Sequence, residues 1–309
     1  MPFADHALTR IAYVAESAWG VTPATPTLKT LRTTRASGLR TNKATVESDE
    51  LRADRNVADL IQVSQRASGE YPVEMSYGSF DDWLAAVLCG SWATNILKNG
   101  ILRTSFTVEE TREMGATDSF SRFTGAMLNT FSLDLRPAAK VEGSFGLMAQ
   151  KETLATAIVT GATYTPASTE QIMNSSSHVA SLTIPNVTSP KVMSLSLNVD
   201  NGMRERPVVG SLYSEEFGLG RCRVTGQMEL YFSDPAIYQA VLDHGSGALS
   251  FTIGADANKK YTFNLPKVRF GDGNIPAGGN DDDVMITVPF TAIFDATAQA
   301  TIVVTRAVA

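Results

Sequence analysis

The sequence predicts a mainly β protein made of two similar β-rich halves, each with one flanking α-helix. Three observations carry this. Many segments alternate apolar and polar residues with period two, the mark of a strand with one buried face. A short amphipathic helix pattern occurs twice, first in SFDDWLAAVLCG (79–90) and then in SDPAIYQAVLDHG (233–245), each followed by an SFT-hydrophobe strand. The composition, 43% hydrophobic and 19% charged over 309 residues, is that of a folded chain with enough material for a sizeable core.

The first half reads as follows. In EYPVEMSY, Tyr71, Val73, Met75 and Tyr77 alternate with Glu70, Pro72, Glu74 and Ser76. Pro72 cannot donate to a ladder and marks an edge or a bulge. Ser79 is placed to cap the helix, with Asp82 in the first turn. Phe80, Trp83, Leu84, Val87 and Leu88 make one apolar stripe at helical spacing, and Gly90 suits a left-handed stop. Leu102, Thr104, Phe106 and Val108 then form one face of a strand. Phe131, Leu133 and Leu135 give another, and Val141, Phe145 and Leu147 a third.

The second half repeats this order. Met228, Leu230 and Phe232 match Val73, Met75 and Tyr77. Asp234 caps a helix with Pro235 at its first position. Ile237, Tyr238, Val241 and Leu242 form its apolar face, and Gly245 ends it. Leu249, Phe251 and Ile253 repeat the strand of Phe106 and Val108. Tyr261 to Phe270 is the next strand. Val284, Ile286, Val288, Phe290 and Ala292 alternate as the segment from Val141 does. Upstream, VESDELRADR (46–55) parallels VDNGMRER (199–206). The matched order points to internal duplication rather than two unrelated halves. The expected divisions are an N-terminal arm at 1–27, rich in Thr and Pro; a β domain at 28–152; a weakly patterned connector at 153–180; and a second β domain at 181–309. Such an arm is ordered by a neighbour or not at all.

No catalytic constellation emerges. His244 stands at a helix end, and the G-x-S-x-G elbow and the phosphate loop are absent. GLGRCR (218–223) lacks the third glycine of a dinucleotide loop and reads as a turn. Cys89 and Cys222 have no metal spacing, and three histidines make a zinc site unexpected. Asp281, Asp282 and Asp283 follow a Gly-rich stretch. They read as a solvated loop tip, with calcium binding as the sharper alternative. The sequons at Asn174 and Asn186 carry little weight. Hence no cofactor, no metal and no enzymatic activity are expected. The net charge of −6 argues against gripping a duplex. No apolar run is long enough to span a bilayer, and MPFADHALTR does not read as a signal peptide, so folding in a cytoplasm is expected.

The stretch from Glu47 to Arg66 stands apart. Glu47, Asp49, Glu50, Arg52, Asp54 and Arg55 mix both signs, and Val57, Leu60, Ile61 and Val63 follow. One reading is an exposed hairpin with solvated charge. The other is a self-complementary protein interface in which interleaved charges set register. Arg204, Glu205, Arg206, Glu215 and Glu216 are its counterparts in the second half.

The run from GVTPATPTLKTLR through TVESDELRADRNVADLIQV, SGEYPVEMSYGSFDDWLAAVLCGSW and LKNGILRTSFTVEE to FTGAMLNTFSLDL and VEGSFGLMAQ resembles the major tail tube protein of long-tailed, non-contractile bacteriophages. The likeness is close over about residues 15–152 and looser in the second half. It implies two tandem β-sandwich or half-barrel tube domains, and subunits that form stacked rings around a channel for DNA ejection. It also implies contacts with a tape-measure protein and other tail proteins, assembly in the bacterial cytoplasm and residence in the virion. With two tube domains per chain, trimeric rings of pseudo-sixfold symmetry are expected, and hexameric rings are the alternative. The charged residues named above would then make the ring–ring interface. A contractile-tail tube or a single-ring adaptor or terminator is the alternative function.

Overall fold

The computed structural model describes residues 3–35, 38–115, 117–176, 179–183, 190–254 and 256–308. Asn186 and its sequon lie outside the described residues. The first half is two packed sheets. The outer one runs Thr27–Thr30, Thr9–Ala15, Phe106–Arg112, the N-terminal part of Ser119–Leu135, and Lys151–Ala155. The inner one runs Leu39–Glu47, Leu60–Glu74, Glu142–Ala149 and the C-terminal part of Ser119–Leu135. Ser119–Leu135 therefore belongs to both, and register shifts mark its passage between them. Helix α1 (Asp81–Val87) packs into this sandwich. Its Trp83 is fully buried and meets Tyr13, Tyr71 and Phe145 at ring-centroid distances of 5.3, 5.8 and 5.4 Å.

The second half pairs its strands in the same order. Val192–Asp200, Arg223–Tyr231 and Met285–Ala292 make the inner layer. Val179–Thr183, Ser246–Ile253, Tyr261–Phe270 and Val303–Arg306 make the outer one. Helix α2 (Pro235–Leu242) stands where α1 does in the chain order. One detail fixes the equivalence. A Cβ on Gly69 would sit 1.8 Å from the carbonyl oxygen of Gly38, and one on Gly226 would sit 2.2 Å from that of Ser196. Both strands need glycine where the neighbouring backbone crowds them. The register also moves the sequence match by two residues. Phe232 N–H bonds to Val284 as Met75 N–H bonds to Val141, so Phe232 answers to Met75 and Met228 to Tyr71. A shift of two keeps every side chain on its face.

The halves share one sheet. The C-terminal part of Ser119–Leu135 pairs along its other edge with Val192–Asp200, from Leu195↔Leu135 to Asp200↔Thr130. Outside this joint, Ile96–Lys98 pairs with Val303–Arg306. The Asp81 carboxylate accepts from Tyr261 Oη at 2.5 Å and from Arg306 Nη1 at 2.5 Å. The Arg306 guanidinium lies 4.5 Å from the Trp92 ring centre.

Several expectations change. Residues 9–15, placed in a free arm, are a strand paired along its whole length with 106–112, and Ile11, Ala12 and Tyr13 are buried. Prolines at 23 and 26 punctuate the segment after that strand rather than the strand itself. Residues 153–176 are woven into the first half, and Val179 and Ala180 already belong to the strand Val179–Thr183 of the second. Thr163–Thr165 pairs in parallel with Thr27–Thr30, and Met173 bonds to both Met75 and Val141. Leu102 is half exposed, and the strand begins only at Phe106. From there both of its faces are buried, which hides the alternation. The polar face is covered because Tyr164, on the returning stretch, donates to Glu109 at 2.5 Å, and Arg122 donates to Glu109 at 2.7 Å. Burial, followed by the Glu109 contact, pushes the Tyr164 hydroxyl up to about 12. Ser79 does not cap α1: Phe80 holds the N-cap position, and the Ser79 hydroxyl lies 2.6 Å from that of Ser76. Asp234 does cap α2, accepting from Ala236 N–H at 2.8 Å. The left-handed residues after the helices are Cys89 and His244, both at φ 49°, not Gly90 and Gly245. On α1, Phe80, Trp83, Leu84, Val87 and Leu88 are all buried. On α2, Ile237 is buried, Val241 is half-buried and Leu242 is exposed. Val284 is exposed as well.

Candidate assembly surface

The stretch 44–66 is part of a hairpin. Leu39–Glu47 pairs with Leu60–Glu74 from Leu39↔Gly69 to Glu47↔Leu60, and residues 48–59 form its tip. Alternation lays one strand face on a core only where a core is present. Here Val46, Leu60, Ile61 and Val63 are all exposed, as are Leu51 and Val57 at the tip. Both faces of the arm are therefore bare, so the arm projects from the body and carries an apolar surface that none of the described residues covers.

The charges divide into engaged and free. Arg52 holds Asp54 with paired bonds of 2.9 and 2.7 Å. That contact, with help from Asn56, keeps the Asp54 carboxyl well below the usual carboxylate range. Among the described residues Glu47, Asp49, Glu50 and Arg55 have no ion-pair partner. Arg55 sits at the tip with φ 62°.

The second-half counterparts lie beside the base of this hairpin. Arg204–Glu205 pairs with Phe217–Gly218. Arg66 is ion-paired to Glu205, and Arg206 to Glu216. Arg103 also reaches Glu216, at 2.8 Å. Gln65 N–H bonds to the Leu212 carbonyl at 2.8 Å. Glu205 thus ties the hairpin's Arg66 to this segment, Arg206 and Glu216 pair beside it, and Arg204 and Glu215 have no ion-pair partner among the described residues. The sequence gives no sign of this bracing, since its partners come from distant segments. Next to it, Val208, Val209 and Leu212 are exposed.

The inner sheet has a second notable surface. Its core-facing residues include Tyr71, Phe145, Leu133, Leu197, Met228 and Val288, all buried. The opposite face is open. It carries Glu70, Glu74, Asp134, Glu142, Asp200 and Glu229 with Arg40, Arg66 and Arg223, and Lys140 pairs with Glu74 and Glu142 and Arg35 with Glu70 at its rim. The geometry is a wide acidic sheet face with an apolar, charge-tipped hairpin at one end.

A family model for phage tail tube proteins matches residues 7–292. The chain belongs to that family. The match runs through both halves and both joint strands, so this tail tube protein is a structural component of the phage virion. No curated protein matches the chain. No helix among the described residues of the tail tube protein is long and apolar enough to cross a membrane. Asp281, Asp282 and Asp283 are exposed, and Asp282 accepts from Gly279 N–H at 2.6 Å. Among the described residues no group of three or more His, Cys, Asp or Glu side chains is arranged to hold a metal. His244, the one histidine weighed for catalysis, closes α2, its N–H bonded to the Val241 carbonyl.

Proposed function

We propose that this protein polymerises into stacked rings that form the wall of the tail tube, with three chains and two tube domains per chain in each ring. The joint inside the chain carries this reading. There the first half presents the C-terminal part of Ser119–Leu135 and the second half presents Val192–Asp200. The counterparts left over at the two ends are Leu39–Glu47 and the segment from Val268 through Asn274, which pairs with Met285–Ala292. Among the described residues Leu39–Glu47 has one unpaired edge; Val268 and Arg269 are also paired with Gly247 and Ser246, so the open edge of the other end is that of residues 271–274. Unpaired edges invite a further strand. Repeating the joint between copies, head to tail, closes a ring and removes the edges.

In that ring the open acidic face of the inner sheet lines the channel. Like charge keeps DNA from adhering as it is ejected. The hairpin tip, with Glu47, Asp49, Glu50, Arg52, Asp54 and Arg55, reaches the next ring, and its bare valines and leucines supply the apolar contact. The second-half residues Arg204, Glu205, Arg206, Glu215 and Glu216 brace that contact. Assembly takes place in the host cytoplasm with a tape-measure protein that fixes length.

The test is electron microscopy of the purified protein with rotational averaging of end-on views. Long hollow tubes with threefold modulation are expected. Strict sixfold tubes would replace the tandem ring by a hexamer in which the second half decorates the outside. Assembly that stops at a single ring would mark an adaptor. Reversing Arg52 and Arg55 to Glu should block stacking and leave the monomer folded. Normal tubes from that variant would remove the hairpin from the ring–ring contact.

A further inference from the structure

The joint within the chain has an outer layer that the second half lacks. The segment after α1 bonds back to the helix end through Gly100 N–H and the Leu88 carbonyl, and it contributes Ile96–Lys98 to the edge of Val303–Arg306. That one segment accompanies two buried residues, Leu88 at 2% exposure and Val304 at 0%. After α2 no such segment exists: Asp243, His244 and Gly245 lead straight into Ser246–Ile253.

The equivalent residues are bare. Leu242 closes the Ala-Val-Leu of α2 as Leu88 closes that of α1, and it is 62% exposed. Leu154 answers to Val304. Leu154 pairs with Ser121 and Val304 with Phe263, each two residues before the bulge-flanking Phe123 and Leu265. Leu154 is 70% exposed. The outer edge of Lys151–Ala155 has no strand partner among the described residues, whereas Val303–Arg306 has one. The ionic clamp is missing on both sides too. Pro235 opens α2 where Asp81 opens α1, and Ser119 stands in the place of Tyr261. Bringing these surfaces together buries no unpaired charge from the clamp positions.

We propose that the α2 end carrying Leu242 on one copy and the strand edge carrying Leu154 on the next copy form the outer layer of the chain–chain contact. The occupant is a second copy of this chain, placed head to tail, and the inference rests on the tube reading. Two arguments select it. The contact is continuous with the sheet joint and repeats its outer layer in apolar form. The two bare leucines also face the loss of the same covering element, so each lacks what a neighbour's edge or helix supplies.

Cross-linking tests it. In a Cys89→Ala, Cys222→Ser background, Leu154→Cys and Leu242→Cys chains are assembled separately and as a mixture, then treated with a short bis-maleimide. Covalent dimers should form in the mixture and not in either chain alone. Leu154→Glu and Leu242→Glu should each slow assembly by about tenfold or more, the effect of an unpaired charge at a closed contact. Leu154→Lys combined with Leu242→Glu in one chain should recover most of that loss. Both residues are exposed, so unfolding midpoints should stay at the parent value. Tubes that grow at the parental rate with Leu154→Glu and show no mixture-dependent dimer would overturn this contact and leave the tube reading intact. A parent protein that never self-associates would overturn both.

Discussion

Arg306 ties the C-terminal strand of the second half to the helix of the first, and removing it should measurably loosen the chain. Its guanidinium donates to Asp81 at 2.5 Å and to the Thr94 carbonyl at 3.1 Å, and it lies over Trp92. The side chains of Arg306 and Asp81 are 28% and 18% exposed, so solvent weakens the pair only in part. A hydrogen bond to a charged group contributes about 1.5–3 kcal/mol, and a partly desolvated cation–π contact about 1 kcal/mol. Discounted for exposure, Arg306→Ala should cost about 2–4 kcal/mol. Asp81 would keep Tyr261 as its partner, which limits the loss. Arg306→Lys should recover roughly half, because an ammonium keeps the charge but lacks the planar fork and the stacking. The assay is urea unfolding followed by tryptophan fluorescence and circular dichroism together. The parent should unfold in one transition, and Arg306→Ala should show the two probes separating as the halves lose their coupling. A change below about 0.5 kcal/mol with coincident probes would refute the claim that this clamp couples the halves.

Three further outcomes are expected. Trp83→Ala should destabilise by about 3–5 kcal/mol in denaturant titration, since the ring is wholly enclosed; a cost below about 1 kcal/mol would contradict that packing. Deleting residues 1–8 should leave the unfolding midpoint nearly unchanged, whereas deleting 1–16 should give aggregated protein by size-exclusion chromatography, because it bares the edge of Phe106–Arg112. The Tyr164 hydroxyl is held neutral up to about 12 in the folded protein, against about 10 for a free tyrosine. Its contribution to stability should therefore be complete below pH 10 and fall away between pH 10 and 12, and Tyr164→Phe should flatten the decline in urea midpoint over that range.

Much of the fold is legible because period two and period 3.6 are local signals. The alternation of Ile286, Val288 and Phe290 and the stripe from Phe80 to Leu88 needed no tertiary knowledge. Trouble begins where one segment covers another. Thr107 and Glu109 alternate with Phe106 and Val108, yet Glu16, Arg122 and Tyr164 arrive from elsewhere in the chain to bury them. Thr9–Ala15 is short and leads into a proline-punctuated segment, so its long-range partner at Phe106–Arg112 decides its state. Leu242 failed in the opposite sense: its pattern is that of a buried helix residue, but the element that would cover it is absent after α2. The hairpin's charges were legible as an interface candidate, but Arg66 with Glu205 and Arg206 with Glu216 are pairings across the chain that spacing alone does not encode.

The strand Ser119–Leu135 has a mechanical consequence. Along its length it is hydrogen-bonded in turn to Phe106–Arg112, Lys151–Ala155, Glu142–Ala149 and Val192–Asp200. Tension drawn along this strand loads its ladders in shear, so many bonds must yield together rather than one at a time. A pull that tends to separate the halves is therefore fed into both sheets of the first half at once. The strand works as a spar, and its amides should be the last in the molecule to exchange with solvent.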